Sequence, residues 1–235
     1  MKKILLSGLT LLVINSFAFA QKNKNKAVDF TKPTTAKEMK EAVILHQEML
    51  TNSPFRNYPA RNIGPTNMSG RIVDIEVTND FKTYFVAAAS GGIWKTKDNG
   101  QSFKPVFDHQ GALGIGDMAI SPSNNDIIWI GTGENNSSRS TYAGSGIYKS
   151  TDGGSTWTFM GLPHSQHIGQ IQIHPTNPDI VWVASMGSLY SKNEERGIYK
   201  TKDGGKTWKK TLFIDNNTGC SDLSIDMTNP RIMYA

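Results

Sequence analysis

One cysteine, Cys220, in 235 residues leaves nothing from which to build an internal disulfide framework. Long apolar runs are equally scarce. The longest, Ile4 to Ile14, is too short to span a bilayer, and no later segment approaches the required length. An excess of one charge is missing too. The formal net charge is +5, and Lys2, Lys3, Lys22, Lys24 and Lys26 crowd the N-terminus, so the remainder is close to neutral. A basic nucleic-acid surface is excluded on that ground. No residue pattern calls for a cofactor.

What is present begins with an export signal over 1–20. Lys2 and Lys3 supply the charged start, the apolar run follows, and Ala18-Phe19-Ala20 ends in a cleavage site before Gln21. No cysteine stands at that point to carry a lipid. The mature chain, its charge reduced by two lysines from +5 to +3, is expected to be periplasmic, cell-surface or secreted. Residues 21–34 are polar and read as a linker. Thr35 and Glu38 form a capping box for an amphipathic helix over 36–50, within an N-terminal segment 35–55. Its apolar side is expected to carry Met39, Ala42, Val43, His46, Met49 and Leu50.

Residues 56–235 are organised by a repeated motif, [ST]-x-D-x-G-x-x-[WF]. It occurs as Thr96-x-Asp98-x-Gly100-x-x-Phe103, Ser150-x-Asp152-x-Gly154-x-x-Trp157 and Thr201-x-Asp203-x-Gly205-x-x-Trp208. The copies start 54 and 51 residues apart, with short strand patterns between them. A period near fifty predicts an all-β propeller of four-stranded antiparallel blades. Within each motif the hydroxyl and carboxylate satisfy turn N–H groups, the glycine supplies backbone freedom, and the aromatic ring packs beneath the turn. The spacing lacks the ligand alternation and terminal Glu of a calcium loop. An Asp repeated in every blade serves the blade and not one reaction.

These motifs resemble the Asp-box (BNR) repeats of sialidases, family 74 glycoside hydrolases and sortilin-type (VPS10) propellers. Asn62-Ile-Gly-Pro-Thr-Asn-Met-Ser-Gly-Arg71 and Trp129-Ile-Gly-Thr-Gly-Glu134 extend the resemblance to secreted bacterial proteins of the sortilin-like and "glycosyl hydrolase" type. The resemblance implies a secreted propeller that binds a glycan, peptide or envelope protein, or else hydrolyses an extracellular polysaccharide. A sialidase would open with Arg-Ile-Pro, whereas this chain has Arg71-Ile72-Val73. A family 74 enzyme would place a catalytic Asp just before Gly91-Gly92, where this chain has Ala89 and Ser90. Glycoside hydrolysis needs two carboxyl groups about the bond, so one of the pair is absent from its expected place. Glu134 is the one relocated candidate.

The register gives strand A at 71–77, 116–120, 170–173 and 222–225. Strand B lies at 84–88, 127–131, 180–184 and 232–235, and strand C at 92–96, 146–150 and 197–201, with each Asp box turning into strand D. The chain stops within a strand pattern, which reads as an N-terminal portion of about three and a half blades. Asp boxes join strands C and D, so function is expected at the opposite end, among the B–C and D–A loops. From the strand B aromatic to the strand C aromatic takes 9 residues in blade one, 19 in blade two and 17 in blade three. The added residues bring Glu134, Arg139, Tyr142, Tyr190, Glu194 and Arg196, a set suited to sugar or peptide recognition. Solvated polar decoration is the competing reading. His164 and His167 have no carboxylate or cysteine at metal-site spacing. Asp74, Asp117, Gln170 and Asp222 recur at one strand A position, facing the channel mouth in a structural role.

Overall fold

The computed structural model describes residues 35–58, 70–136 and 141–235. The chain divides into Met1–Pro33 and Thr34–Ala235, and all described residues belong to the second unit. The export signal, the linker and Arg139 lie outside the described residues.

Helix α1 (Ala36–Asn52) starts where the capping box places it. Thr35 N donates to Glu38 Oε2 at 2.8 Å, and Glu38 N donates to Thr35 Oγ1 at 3.2 Å. Of the helical side chains described, only Val43 is half-buried, and Met49 and Leu50 face solvent.

Strands then follow in sequential antiparallel order. Blade one is β1 (Ile72–Val77), β2 (Tyr84–Ala88), β3 (Gly92–Thr96) and β4 (Lys104–Pro105). Blade two is β5 (Ile115–Ser121), β6 (Asn124–Thr132), β7 (Ile147–Ser150) and β8 (Thr158–Phe159). Blade three is β9 (Ile168–Ile173), β10 (Val181–Ser185), β11 (Gly197–Thr201) and β12 (Lys209–Leu212). A pair, β13 (Ser224–Ile225) and β14 (Met233–Tyr234), opens a fourth. The strands are β-branched and aromatic, and Pro and Asn end them, which is why the chain reverses every few residues.

The apolar cores lie between blades. Phe85, Ile93 and Phe107 of blade one pack with Ile115, Met118, Ile128, Ile130 and Tyr148 of blade two. Trp129 and Ile147 of blade two pack with Ile168, Ile171, Val181 and Val183 of blade three. Trp182, Ala184 and Ile198 then meet Leu223 and Ile225. A blade by itself therefore has no finished core, and its burial comes from its neighbour.

The inner strand of each of the three full blades is bulged near its start. The pairing register skips Val73 in β1, Gly116 in β5 and Gly169 in β9. Each skip falls immediately before the repeated strand A position, so Asp74, Asp117 and Gln170 are turned toward the adjoining blade. The β5 bulge must be glycine, because a Cβ at Gly116 would stand 2.0 Å from the carbonyl oxygen of Ile168.

Candidate functional site

Two sets of loops emerge at opposite ends of the blades, and backbone bonds identify them. At one end the Asp-box turns meet the A–B turns, with Gly153 N donating to Asp126 O and Gly204 N to Asp179 O, both at 3.0 Å. At the other, B–C loops meet D–A loops. Gly92 N donates to Leu113 O at 3.0 Å, Gly144 N to Gln166 O at 2.6 Å and Met186 N to His167 O at 2.9 Å.

The Asp-box end is occupied with its own structure. Thr96 Oγ1 donates to Asp98 Oδ1 at 2.8 Å and accepts from Gly100 N at 3.0 Å. Ser150 with Asp152 and Gly154, and Thr201 with Asp203 and Gly205, repeat this geometry. The second carboxylate oxygen takes a hydroxyl from the residue preceding the aromatic: Ser102 at 2.5 Å, Thr156 at 2.6 Å and Thr207 at 2.5 Å. That hydroxyl lies outside the sequence template, although all three copies have Ser or Thr there. Side-chain and backbone donors together hold Asp98, Asp152 and Asp203 at a pKa of about 2. Carboxylates committed in this way serve the turn.

The boxes also bind blade to blade. Trp157 Nε1 donates to Val106 O of blade one, and Trp208 Nε1 to Met160 O of blade two, each at 2.7 Å. Lys95 lies over the Phe85 ring and donates to Gly153 O of the next box at 2.5 Å. Lys149 lies over Trp129 and reaches Gly204 O at 3.5 Å. The sequence-level view of a staple within one blade is thus incomplete, since the second and third boxes each rest on the blade before them.

Inner-strand carboxylates make a third junction. Asp74 Oδ2 accepts from Met118 N at 3.2 Å, and Asp117 Oδ2 accepts from Ile171 N at 2.6 Å and from Gln170 Nε2 at 3.3 Å. Burial pushes both carboxyl groups up, Asp117 well above the ordinary range, with repulsion from Asp74 and Glu76 adding to it. Glu76, half-buried beside Asp74, is raised to about 7, burial again being the larger cause.

At the B–C end, the candidate residues divide. Tyr142 and Tyr190 stand 56% and 75% exposed, and Glu194 is exposed with them. Arg196 is buried, its Nη2 donating to Ser188 O at 2.5 Å and Ser191 O at 3.2 Å, so it shapes its own loop from within. Glu134 is fully buried at 0% exposure. Its Oε1 accepts both Nε, at 2.9 Å, and Nη2 of Arg71 in blade one. Its carbonyl takes Nδ1–H of His167 at 2.7 Å, and Asn135 Nδ2 donates to Gly169 O at 3.2 Å. A carbonyl only accepts, so Nδ1 of His167 carries the proton. Burial lowers the His167 pKa and keeps the ring neutral, with the lone pair on Nε2. His164, by contrast, is exposed.

Arg71 and the hub role of His167 were hidden in sequence, because Arg71 lies 63 positions from its partner. The place of the missing catalytic Asp holds Ala89, 1% exposed, with its N–H on Arg71 O at 2.8 Å, and Ser90, which is exposed. Among the described residues no three His, Cys, Asp or Glu side chains are grouped to hold a metal, and no helix is long and apolar enough to cross a membrane.

Comparison with known proteins places this architecture. A family model described as Sortilin, neurotensin receptor 3 (Sortilin-Vps10) matches residues 66–229. A xyloglucanase of Hypocrea jecorina is 22% identical over 210 residues, covering 77% of this chain and 24% of the fungal protein. The vacuolar protein sorting/targeting protein 10 of Kluyveromyces lactis is 32% identical over 78 residues, 33% of this chain and 5% of that protein. In three dimensions, the crystal structure of an ancestral GH74 enzyme aligns with a TM-score of 0.55 at 18% identity, over 75% of this chain and 23% of the enzyme. The chain thus spans about a quarter or less of the length of these relatives.

Proposed function

The chain belongs to the Sortilin-Vps10 family, and from that premise we propose that it is part of an exported propeller whose B–C face binds an extracellular glycan. The observation that carries this reading is the presentation of Tyr142 and Tyr190, both more than half exposed, on loops braced from beneath by Glu134 and Arg196. Aromatic rings held on a fixed backbone suit the apolar faces of sugars, and the amides, hydroxyls and carboxylates around them suit sugar hydroxyls. The named activity of the Hypocrea relative points to the same ligand class.

The test is calorimetric titration of the protein with xyloglucan oligosaccharides and, separately, with a peptide library. Saturable glycan binding that falls in the double variant Tyr142→Ala/Tyr190→Ala supports the reading. Binding confined to peptides would move the face to the protein-sorting side of the family.

Hydrolysis of an extracellular polysaccharide is the second reading, favoured by that same relative's name. It is opposed by buried Ala89, which brings no carboxylate to the position that a family 74 mechanism would use. Release of reducing sugar from xyloglucan by the purified protein decides between them.

A further inference from the structure

The ion pair between Arg71 and Glu134 is lopsided. Glu134 is fully buried, while the Arg71 side chain is 50% exposed. Two N–H groups of the guanidinium converge on Oε1, and Oε2 is buried with no donor among the described residues. A guanidinium has five N–H groups, so three of Arg71 are left without a described acceptor, on a side chain that reaches solvent. A simple strut between blades would bury and satisfy both partners. Here the acid is anchored and the base is presented.

The anchoring is thorough. His167 holds the Glu134 carbonyl, Glu134 N donates to Tyr142 O at 3.2 Å, and Asn135 reaches blade three. Arg71 is fixed at its backbone by Ala89 N. Ser90 packs close beside it. Gly70 precedes it with φ +104°, and a Cβ there would come within 2.8 Å of Ser90 Oγ.

We propose that Arg71, positioned by Glu134, is a ligand-binding residue of the B–C face and that it takes the hydroxyl groups of a neutral sugar. This rests on the glycan reading above and names the polar contact within it. The charge of the pair sums to zero. An anionic ligand group reaching Arg71 would lie against the Glu134 carboxylate, and an ammonium group has no oxygen to offer the fork. A hydroxyl offers an oxygen to the exposed Arg71 N–H groups without bringing a charge against Glu134. Arg71 is the contact and Glu134 the positioning residue.

The experiment is calorimetry on the whole chain with a neutral xyloglucan oligosaccharide and an oligogalacturonate, at low and high salt. The wild type is expected to bind the neutral sugar with little salt dependence. The double variant Arg71→Leu/Glu134→Leu leaves no unpaired buried charge, and its affinity for the neutral sugar should fall at least tenfold with the native circular dichroism retained. Arg71→Lys keeps a charge opposite Glu134 without the fork, and it should lose a similar factor. Undiminished binding by Arg71→Lys or by the folded double variant would overturn the assignment and leave the glycan reading standing. Preference for the oligogalacturonate, lost at high salt, would overturn the neutral class. Failure of the wild type to bind either sugar would remove the glycan reading and this inference together.

Discussion

The indole N–H of Trp208 donates to the carbonyl of Met160, 2.7 Å away in the preceding blade, while its ring meets Trp129 edge-on at 5.9 Å. One residue thus supplies a hydrogen bond and a large apolar contact to the same junction.

The two contributions are separable. Trp208→Phe keeps most of the ring and leaves Met160 O unpaired, and it should destabilise by about 0.5–1.5 kcal/mol. Trp208→Ala removes both and should cost about 3 kcal/mol or more. Urea unfolding followed by far-UV circular dichroism checks the order. Equal losses in the two variants would mean that the ring carries nothing beyond its N–H.

Gly205 sets the closeness of that junction. Its φ is +93°, and a Cβ would stand 2.6 Å from Trp129 Cη2. Gly205→Ala should therefore cost about 1–3 kcal/mol through strain and overpacking. A melting temperature unchanged from wild type would show that the box does not rest on Trp129 as described.

Acid stability should have two regimes. Asp98, Asp152 and Asp203 have folded-state pKa values of about 2, below the roughly 3.9 of an unfolded Asp. Their contribution is present above the unfolded value and is lost as pH falls toward 2. Glu76 works in the opposite sense. Its folded-state pKa of about 7 exceeds the unfolded value, so the native state binds more protons between about 4.5 and 7, and stability rises on acidification through that window. Melting temperature against pH should peak between the two regimes. Glu76→Gln should shallow the neutral limb, to which the raised Asp74 and Asp117 also contribute, and Asp152→Asn should shallow the acidic limb. A Glu76→Gln profile identical to wild type between pH 5 and 7 would reject the first assignment.

The inserted loops should differ in what they support. Tyr142→Ala and Tyr190→Ala should each change stability by less than about 0.5 kcal/mol. Deleting 134–144 removes the partner of Arg71 and the carbonyl that holds His167, so it should destabilise strongly. Thermal denaturation of the three proteins is the check. An unaltered melt in the deletion would mean that Glu134 braces nothing.

How much of this was legible in sequence depends on range. Strands β2 and β3 and the Asp-box bonds follow from local signals, namely β-branched runs, a hydroxyl two residues before an Asp, and a glycine two after it. The candidate face was legible through loop length alone. Glu134 and Arg196 look like surface polar residues in a linear reading, and only the fold shows that each is buried beneath its loop. The Arg71–Glu134 pair joins two blades, and nothing at either position announces the other. The outward apolar side chains of α1 fail for a related reason. Helical periodicity fixes which residues share a face, but not whether anything covers it.

The direction of the box contacts has a consequence for synthesis. The second and third Asp boxes lay a tryptophan and a glycine on the blade made before them, and each apolar core is shared between neighbouring blades. A blade emerging from the ribosome therefore keeps one apolar side open until its successor arrives. Its order is completed one repeat late, from N-terminus to C-terminus, and its leading interblade face stays open to solvent or to a chaperone until the next repeat arrives.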